Sequence, residues 1–275
     1  MNPLRFIFQL FRQCLVTLAI KARNVFFALK VVLRVKNWKE YFYDIYDKNK
    51  KRKIIYELSN GTKYVTRSKT KDRDIFVEIV LGNEYFTDQI KLNKTSVVFD
   101  IGAQIGIFSV FIAGKARKIF SFEPVPENFE LLEENIKLNG LEEKVKTFNL
   151  AVSSKKGKEK IFLNSNNSGG HSIFGKGSFI EVNSVDLKEI FEENRIEECD
   201  LLKIDVEGAE YNILYALPEK FFQRIKQIVM ECHEIDLKQK NFHSMIVFLE
   251  SKGFKVKYRK SLYNFPVLFA FKAFN

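Results

Sequence analysis

Three apolar runs in this sequence end in acidic residues, and each acid stands where a strand would hand over to a helix. The first run is VVFDIGAQIG, residues 97–106, in which Asp100 precedes Gly102, Ala103 and Gly106. A glycine turn between a strand and a helix aims backbone amides at a ligand, and in a dinucleotide fingerprint that ligand is a pyrophosphate. Here Asp100 occupies the position expected for the first glycine of such a fingerprint. A carboxylate facing a diphosphate is repulsive, whereas one facing an ammonium or a sulfonium is attractive. The turn therefore reads as a cradle for a cationic ligand.

The second run, SFEPVPEN, places Glu123 at a strand end, 23 residues after Asp100. An acid about 20 residues beyond the glycine turn is where a carboxylate accepts hydrogen bonds from both ribose hydroxyls. A cationic ligand that contains a ribose and no phosphate is S-adenosyl-L-methionine. Asn149 and Ala151, at the end of the third strand, are then expected beside the adenine. The third run, LLKIDVEGAEY (201–211), ends in Asp205 and continues through Glu207, Gly208 and Glu210 into a helix, while VMECHE presents Glu231 and His233. On neighbouring strands these groups converge at one rim. Such a cluster could deprotonate a hydroxyl, hold a divalent cation through oxygen ligands, or merely cap helices. Asp205 and His233 are the leading candidates for the base, with Glu207 beside them and His171 arriving from a loop.

The elements that must position these groups alternate. Apolar strands are expected at 97–101, 118–122, 145–151, 200–204, 226–232, 254–258 and 267–272, with helices at 107–115, 126–138, 186–194, 208–216 and 242–252. Near-continuous apolar strands between helices predict an α/β, doubly wound, mostly parallel seven-stranded sheet with its ligand at the carboxyl ends of the strands. The last two strands are joined by a short link, so one of them is expected to run antiparallel. Pro126 can open its helix, and Gly140 can stop it. Upstream, residues 54–67 read as a hairpin turning at Asn60-Gly61, and 74–86 as a short helix and its exit. Residues 164–177 are a polar, glycine-rich loop, either a lid or a surface excursion. The chain thus divides at sequence level into an arm (1–47), a hairpin and lead-in (48–96) and a cofactor-binding domain (97–275).

The charge is not spread evenly. The chain carries 45 Lys and Arg against 34 Asp and Glu, yet residues 1–39 hold eight of the basic residues and no acidic one. The remainder is nearly neutral, which disfavours nucleic acid as a partner. Cys14, Cys199 and Cys232 are too few and too far apart for a disulfide framework or a metal site, as expected of reduced thiols in the cytoplasm. The arm has no apolar run near the roughly 20 residues of a membrane span. On a helix, Arg5, Gln9, Arg12, Arg23, Lys30 and Arg34 share one stripe opposite a wide apolar face. That suits a helix lying on the inner face of an anionic membrane, packing on protein or a second subunit, or a cleaved targeting segment; all three readings are open.

FDIGAQIG, SFEPVPENFELLEENIKLNG, NLAVSSKKG and above all LLKIDVEGAEY resemble the FkbM-type methyltransferases of the class I S-adenosylmethionine-dependent superfamily, over roughly residues 74–258. The resemblance implies the Rossmann-like fold of that class and O-methylation of a hydroxyl, often on a sugar or polyketide. It also implies that Asp100, Gly102 and Gly106 line the methionine end, that Glu123 holds the ribose, and that Asp205, Glu207 and Gly208 stand at the methyl-transfer face. The family usually has Asn where this chain has Gln104, and it assigns nothing to His171 or His233. A cofactor-binding protein without methyl transfer and a nucleotide-dependent oxidoreductase are the competing readings. The expected acceptor is a small molecule or saccharide.

Overall fold

The computed structural model describes residues 24–46, 52–86, 90–163, 177–236, 238–261 and 266–272. Helix α1 (24–34) is followed by α2 (Trp38–Tyr46) and a hairpin of β1 (Lys53–Glu57) and β2 (Lys63–Arg67). Next comes α3 (Asp72–Phe76), which runs directly into a π-helical segment, Val77–Leu81. The alternating part follows as β3 (Val97–Ile101), α4 (Ile107–Ile112), β4 (Lys118–Phe122), α5 (Pro126–Leu138) and β5 (Val145–Phe148). Three strands then leave the main sheet: β6 (Ala151–Ser153), β7 (Gly157–Phe162) and β8 (Phe179–Asp186). The chain returns through α6 (Leu187–Glu193), β9 (Leu201–Ile204), α7 (Glu210–Ala216), α8 (Glu219–Phe222), β10 (Gln227–Glu231), α9 (Phe242–Ser251), β11 (Lys255–Lys260) and β12 (Pro266–Phe271).

The main sheet has seven strands in the order β11-β12-β10-β9-β3-β4-β5. All run parallel except β12, which is antiparallel to both neighbours. This is the doubly wound, Rossmann-like sheet expected, with the antiparallel strand among the last two. Its physical basis is plain in β3, where all five residues are buried. Val98 belongs to one apolar layer, with α1, the hairpin, the π-helical segment, α4 and α5. Val97, Phe99 and Ile101 belong to the other, with α6, α7, α8 and α9. Side chains of a strand alternate between faces, so a strand apolar at every position needs helices on both sides.

Three expectations change. The strand expected at 145–151 breaks after Phe148, and Ala151–Ser153 pairs with β8 in a separate three-stranded sheet. Strands β7 and β8 were not expected, because their burial alternates weakly and β7 is largely exposed. The hairpin turn is wider than a two-residue turn: Glu57 pairs with Lys63, and Leu58 N donates to Thr62 O. Within it only Gly61 takes a positive φ, +89°. Most of the loop that holds His171 lies outside the described residues. Among the described residues, no helix is long and apolar enough to cross a membrane.

Candidate active site

Strand register sets the site. Ile101 pairs with Phe122 on one side and with Ile204 on the other, so the residues that follow, Gly102, Glu123 and Asp205, stand level across three adjacent strand ends. The turn is clamped there. Gly102 N and Ala103 N both donate to Phe122 O, at 3.0 and 2.9 Å, and Asp205 N donates to Ile101 O at 3.0 Å. Gly102 has φ +75°, and a Cβ built on it would lie 1.8 Å from the Asp205 carbonyl oxygen. No other residue type fits that approach. A cleft opens above the turn, with Gly102, Gln104, Glu123, Ala151 and Asp205 in its walls and Ile79 of the π-helical segment over it.

Glu123 is buried, 5% exposed. Its Oε2 accepts from Gln104 N (2.9 Å) and its Oε1 from Val125 N (3.0 Å). Burial pushes its carboxyl up to about 7, against these amide bonds, which pull it down. Gln104 takes a positive φ of 50° and its Nε2 donates to Asp72 Oδ1 at 2.9 Å. Asp72 is in turn gripped by Arg67, through Nε to Oδ2 at 2.8 Å and a second nitrogen to Oδ1 at 3.0 Å, and that same nitrogen reaches Asn128 Oδ1. The hairpin and α3 therefore hold the outer wall of the cleft through a hydrogen-bonded chain that ends at Glu123.

Asp100 departs from expectation. It is fully buried and is not among the residues lining the cleft. Lys203 Nζ lies 3.0 Å from its Oδ1, and Ser109 Oγ donates to its Oδ2 at 2.6 Å. The carboxylate is neutralised inside the fold, and the cation it attracts belongs to the protein. Lys203 also donates to Gly102 O at 2.7 Å, so the pair braces the turn from beneath. Burial opposes the Lys203 charge, but Asp100 and Asp205 outweigh it and raise its pKa. A lysine inside an otherwise apolar strand requires such a partner; that signal was present in LLKID.

The side of the cleft across the turn from Glu123 is built around Asp205. Its Oδ2 accepts from the Tyr85 hydroxyl at 2.9 Å, and the same hydroxyl lies 3.2 Å from Glu231 Oε1. Burial, reinforced by Asp205, raises Glu231 to about 8. Burial also raises Glu78, with Glu231 and Glu84 adding to it, to about 9. Nothing in the sequence pointed to Tyr85, which is 120 residues from Asp205. His233 is not a free base. Its Nε2 lies 3.3 Å from Glu207 Oε2 and its Nδ1 3.2 Å from Glu210 Oε1. Burial would lower its pKa, yet those two carboxylates raise it to about 11, so it stays an imidazolium that pins two acids. Asn149 also turns away, donating to the carbonyls of Glu123 and Pro124 at 2.9 and 3.1 Å, while Ala151 lines the cleft. His171 lies outside the described residues. Among the described residues, no three His, Cys, Asp or Glu are arranged to hold a metal ion.

Residues 100–256 match the methyltransferase FkbM domain. The chain belongs to the FkbM methyltransferase family. It is 27% identical to methyltransferase sdnD of Sordaria araneosa, over 70% of this chain and 86% of that one. It is 25% identical to the 31-O-demethyl-FK506 methyltransferase FkbM of Streptomyces tacrolimicus, over 72% and 88%. A hexuronic acid methyltransferase, AglP of Haloferax volcanii, is 27% identical over 51% of this chain and 57% of that one. In fold it is similar to a crystal structure titled methyltransferase FkbM from Methylobacillus flagellatus, with a TM-score of 0.51 at 11% identity, covering 68% of this chain and 46% of that one. The FkbM family match begins at Asp100, so Arg67, Asp72, Glu78 and Tyr85 reach the site of this enzyme from upstream of it.

Proposed function

We propose that this methyltransferase takes S-adenosyl-L-methionine as cofactor and methylates a hydroxyl of a sugar, glycolipid or related small molecule, with Asp205 as the base. One observation carries the reading: Glu123 and Asp205 stand level on either side of the Gly102 turn, one suited to a ribose and the other to a reacting hydroxyl. The residues fit the cofactor. Gly102 lets the backbone come close, Ala151 and Val152 offer an apolar wall, and Gln104 Oε1 is a buried acceptor without a hydrogen-bond partner among the described residues. S-adenosylmethionine, when bound, supplies a methyl group already activated by its sulfonium. The chain's own residues would then do the rest. Glu123 and the turn orient the cofactor, and Asp205 aligns the acceptor oxygen and takes its proton.

The acceptor class follows from the rim. Asp205 and Glu207 line the cleft and accept hydrogen bonds that a polyol donates, while burial holds Glu78 and Glu231 in the uncharged acid form near neutral pH. The O-methylating and hexuronic acid methyltransferases among the relatives support a hydroxyl on a natural product or saccharide.

Calorimetry with S-adenosylhomocysteine tests the cofactor site. Glu123→Gln is expected to weaken binding by at least about tenfold, since an amide NH₂ then meets the Gln104 or Val125 N–H. An unchanged affinity, or tighter binding of NAD, sinks the reading. The ionised carboxylate is the better ribose acceptor and the free group titrates near 7. Binding then releases a proton, so affinity should rise with pH up to about 7 and level off above it, and Glu123→Gln should flatten that dependence.

Tyr85→Phe tests the acceptor side. The hydroxyl holds Asp205 Oδ2 at 2.9 Å, so its loss should misplace the base and lower kcat about tenfold. Cofactor affinity should not change. An unchanged kcat would make Tyr85 a packing residue only.

A further inference from the structure

We infer that the outward face of α1 is a docking surface for an anionic lipid bilayer. The helix is apolar on two sides. Phe27, Val31 and Val35, at its inner side, are buried at 8% exposure or less. On the outer side Val25, Phe26, Leu29, Val32 and Leu33 are 43–76% exposed. At about 100° per residue these five fall within an arc of about 120°, one continuous stripe along the helix. Scattered exposed apolar residues need no explanation, but a contiguous stripe marks a surface that meets something else. Leu33 carries the stripe into a groove of about 400 Å³ walled by Leu58, Val80, Leu81, Val110 and Phe111.

This face belongs to the body of the enzyme. Ser59 N donates to Arg34 O at 2.8 Å, Lys36 N donates to Glu57 O at 2.7 Å, and Val35 bridges Leu58. Lys30 Nζ donates to Leu81 O at 2.7 Å and Arg34 reaches Val80 O at 3.4 Å, so two cations cap the carbonyl end of the π-helical segment. Of the basic stripe expected from sequence, these two residues are described, and they lie one turn apart on the same side of the helix. The helix that carries the exposed stripe is thus held against the segment whose Ile79 lines the cleft.

Charge decides the occupant. Residues 1–39 hold eight basic residues and no acidic one. A second copy of the chain laid on this face would bring a second such arm against the first, and residues 1–23, with Arg5, Arg12, Lys21 and Arg23, bring no counter-charge. A bilayer with anionic headgroups offers both a negative surface and an apolar interior at the depth a helix lying flat can reach. The inference is independent of the acceptor's identity and of methyl transfer.

The test is co-sedimentation of the full chain with vesicles of phosphatidylcholine mixed with phosphatidylglycerol, against phosphatidylcholine alone. The wild type should pellet with the anionic vesicles and be released by salt, because screening weakens the attraction. Leu29→Glu combined with Leu33→Glu should lower the partition coefficient at least about 100-fold, roughly tenfold for each leucine. Both side chains face solvent, so the melting temperature should hold, and methyl transfer to a soluble acceptor is a second check on folding. Equal pelleting of variant and wild type overturns the proposal. So does a wild type that ignores vesicles, whether light scattering shows a dimer that the variant splits, meaning a second copy covers the face, or a monomer, meaning the chain's own first residues do.

Discussion

Asp205→Asn is expected to lower kcat by about 100- to 10,000-fold, the range for loss of a positioned general base, while S-adenosylhomocysteine binds within about threefold of the wild type. The substitution is nearly isosteric, and the amide oxygen can still accept from Tyr85, which holds Oδ2 at 2.9 Å. What is lost is the ability to take a proton. Lys203 Nζ, 3.9 Å from Oδ2, keeps its main partner in Asp100, so the turn beneath the cleft should survive. Single-turnover rates separate this step from product release. Glu231 shares the Tyr85 hydroxyl at 3.2 Å and is the neighbour placed to substitute. A rate loss below about tenfold, with activity abolished only in the double variant with Glu231→Gln, would move the base to Glu231.

Gly102→Ala should destabilise the fold and abolish the site through one added methyl group. A Cβ at 1.8 Å from the Asp205 carbonyl oxygen and 2.9 Å from its carbon meets backbone on both counts. Relief requires β3 and β9 to part at the ends that form the site. The φ of +75° adds about 1 kcal/mol for a residue with a side chain. Together these predict a loss of more than about 3 kcal/mol, a fall in melting temperature of about 6–12 °C for a chain of this size, and no measurable cofactor binding. Gly61→Ala is the control. It has φ +89° with nothing within 4 Å of the new Cβ, so only the backbone cost of about 1 kcal/mol applies. If the two variants melt alike, the close approach of β3 to β9 is not what demands Gly102.

Positions that strand order alone settles differ in range from side-chain directions that it does not. Gly102, Glu123 and Asp205 could be placed from sequence because each ends an apolar strand, and the doubly wound pattern brings strand ends to one edge. Asp100 shares that position, yet its side chain points inward. Whether a strand-end carboxylate faces ligand or core depends on the partner beneath it, and Lys203 comes from a strand 103 residues later in the chain. His233 has the same history. Its residue type suggests a base, but the environment supplied by Glu207 and Glu210 makes it a fixed cation. Asn149 lies just past its strand, which stops at Phe148, and its side chain turns back onto the carbonyls of Glu123 and Pro124.

By itself the sequence determined the alternation of strands and helices, the turn at Gly102, and which acids gather at the carboxyl edge of the sheet. These are local matters: a period of two or of 3.6 residues, a glycine where φ must be positive, a charge where an apolar run stops. Only the tertiary structure decided which of those acids are free to act. Tyr85 onto Asp205, Asp72 onto Gln104, Lys203 onto Asp100 and the hairpin onto α1 are contacts between distant segments. Such pairings are fixed by how two apolar layers close around one sheet, and no spacing along the chain records them.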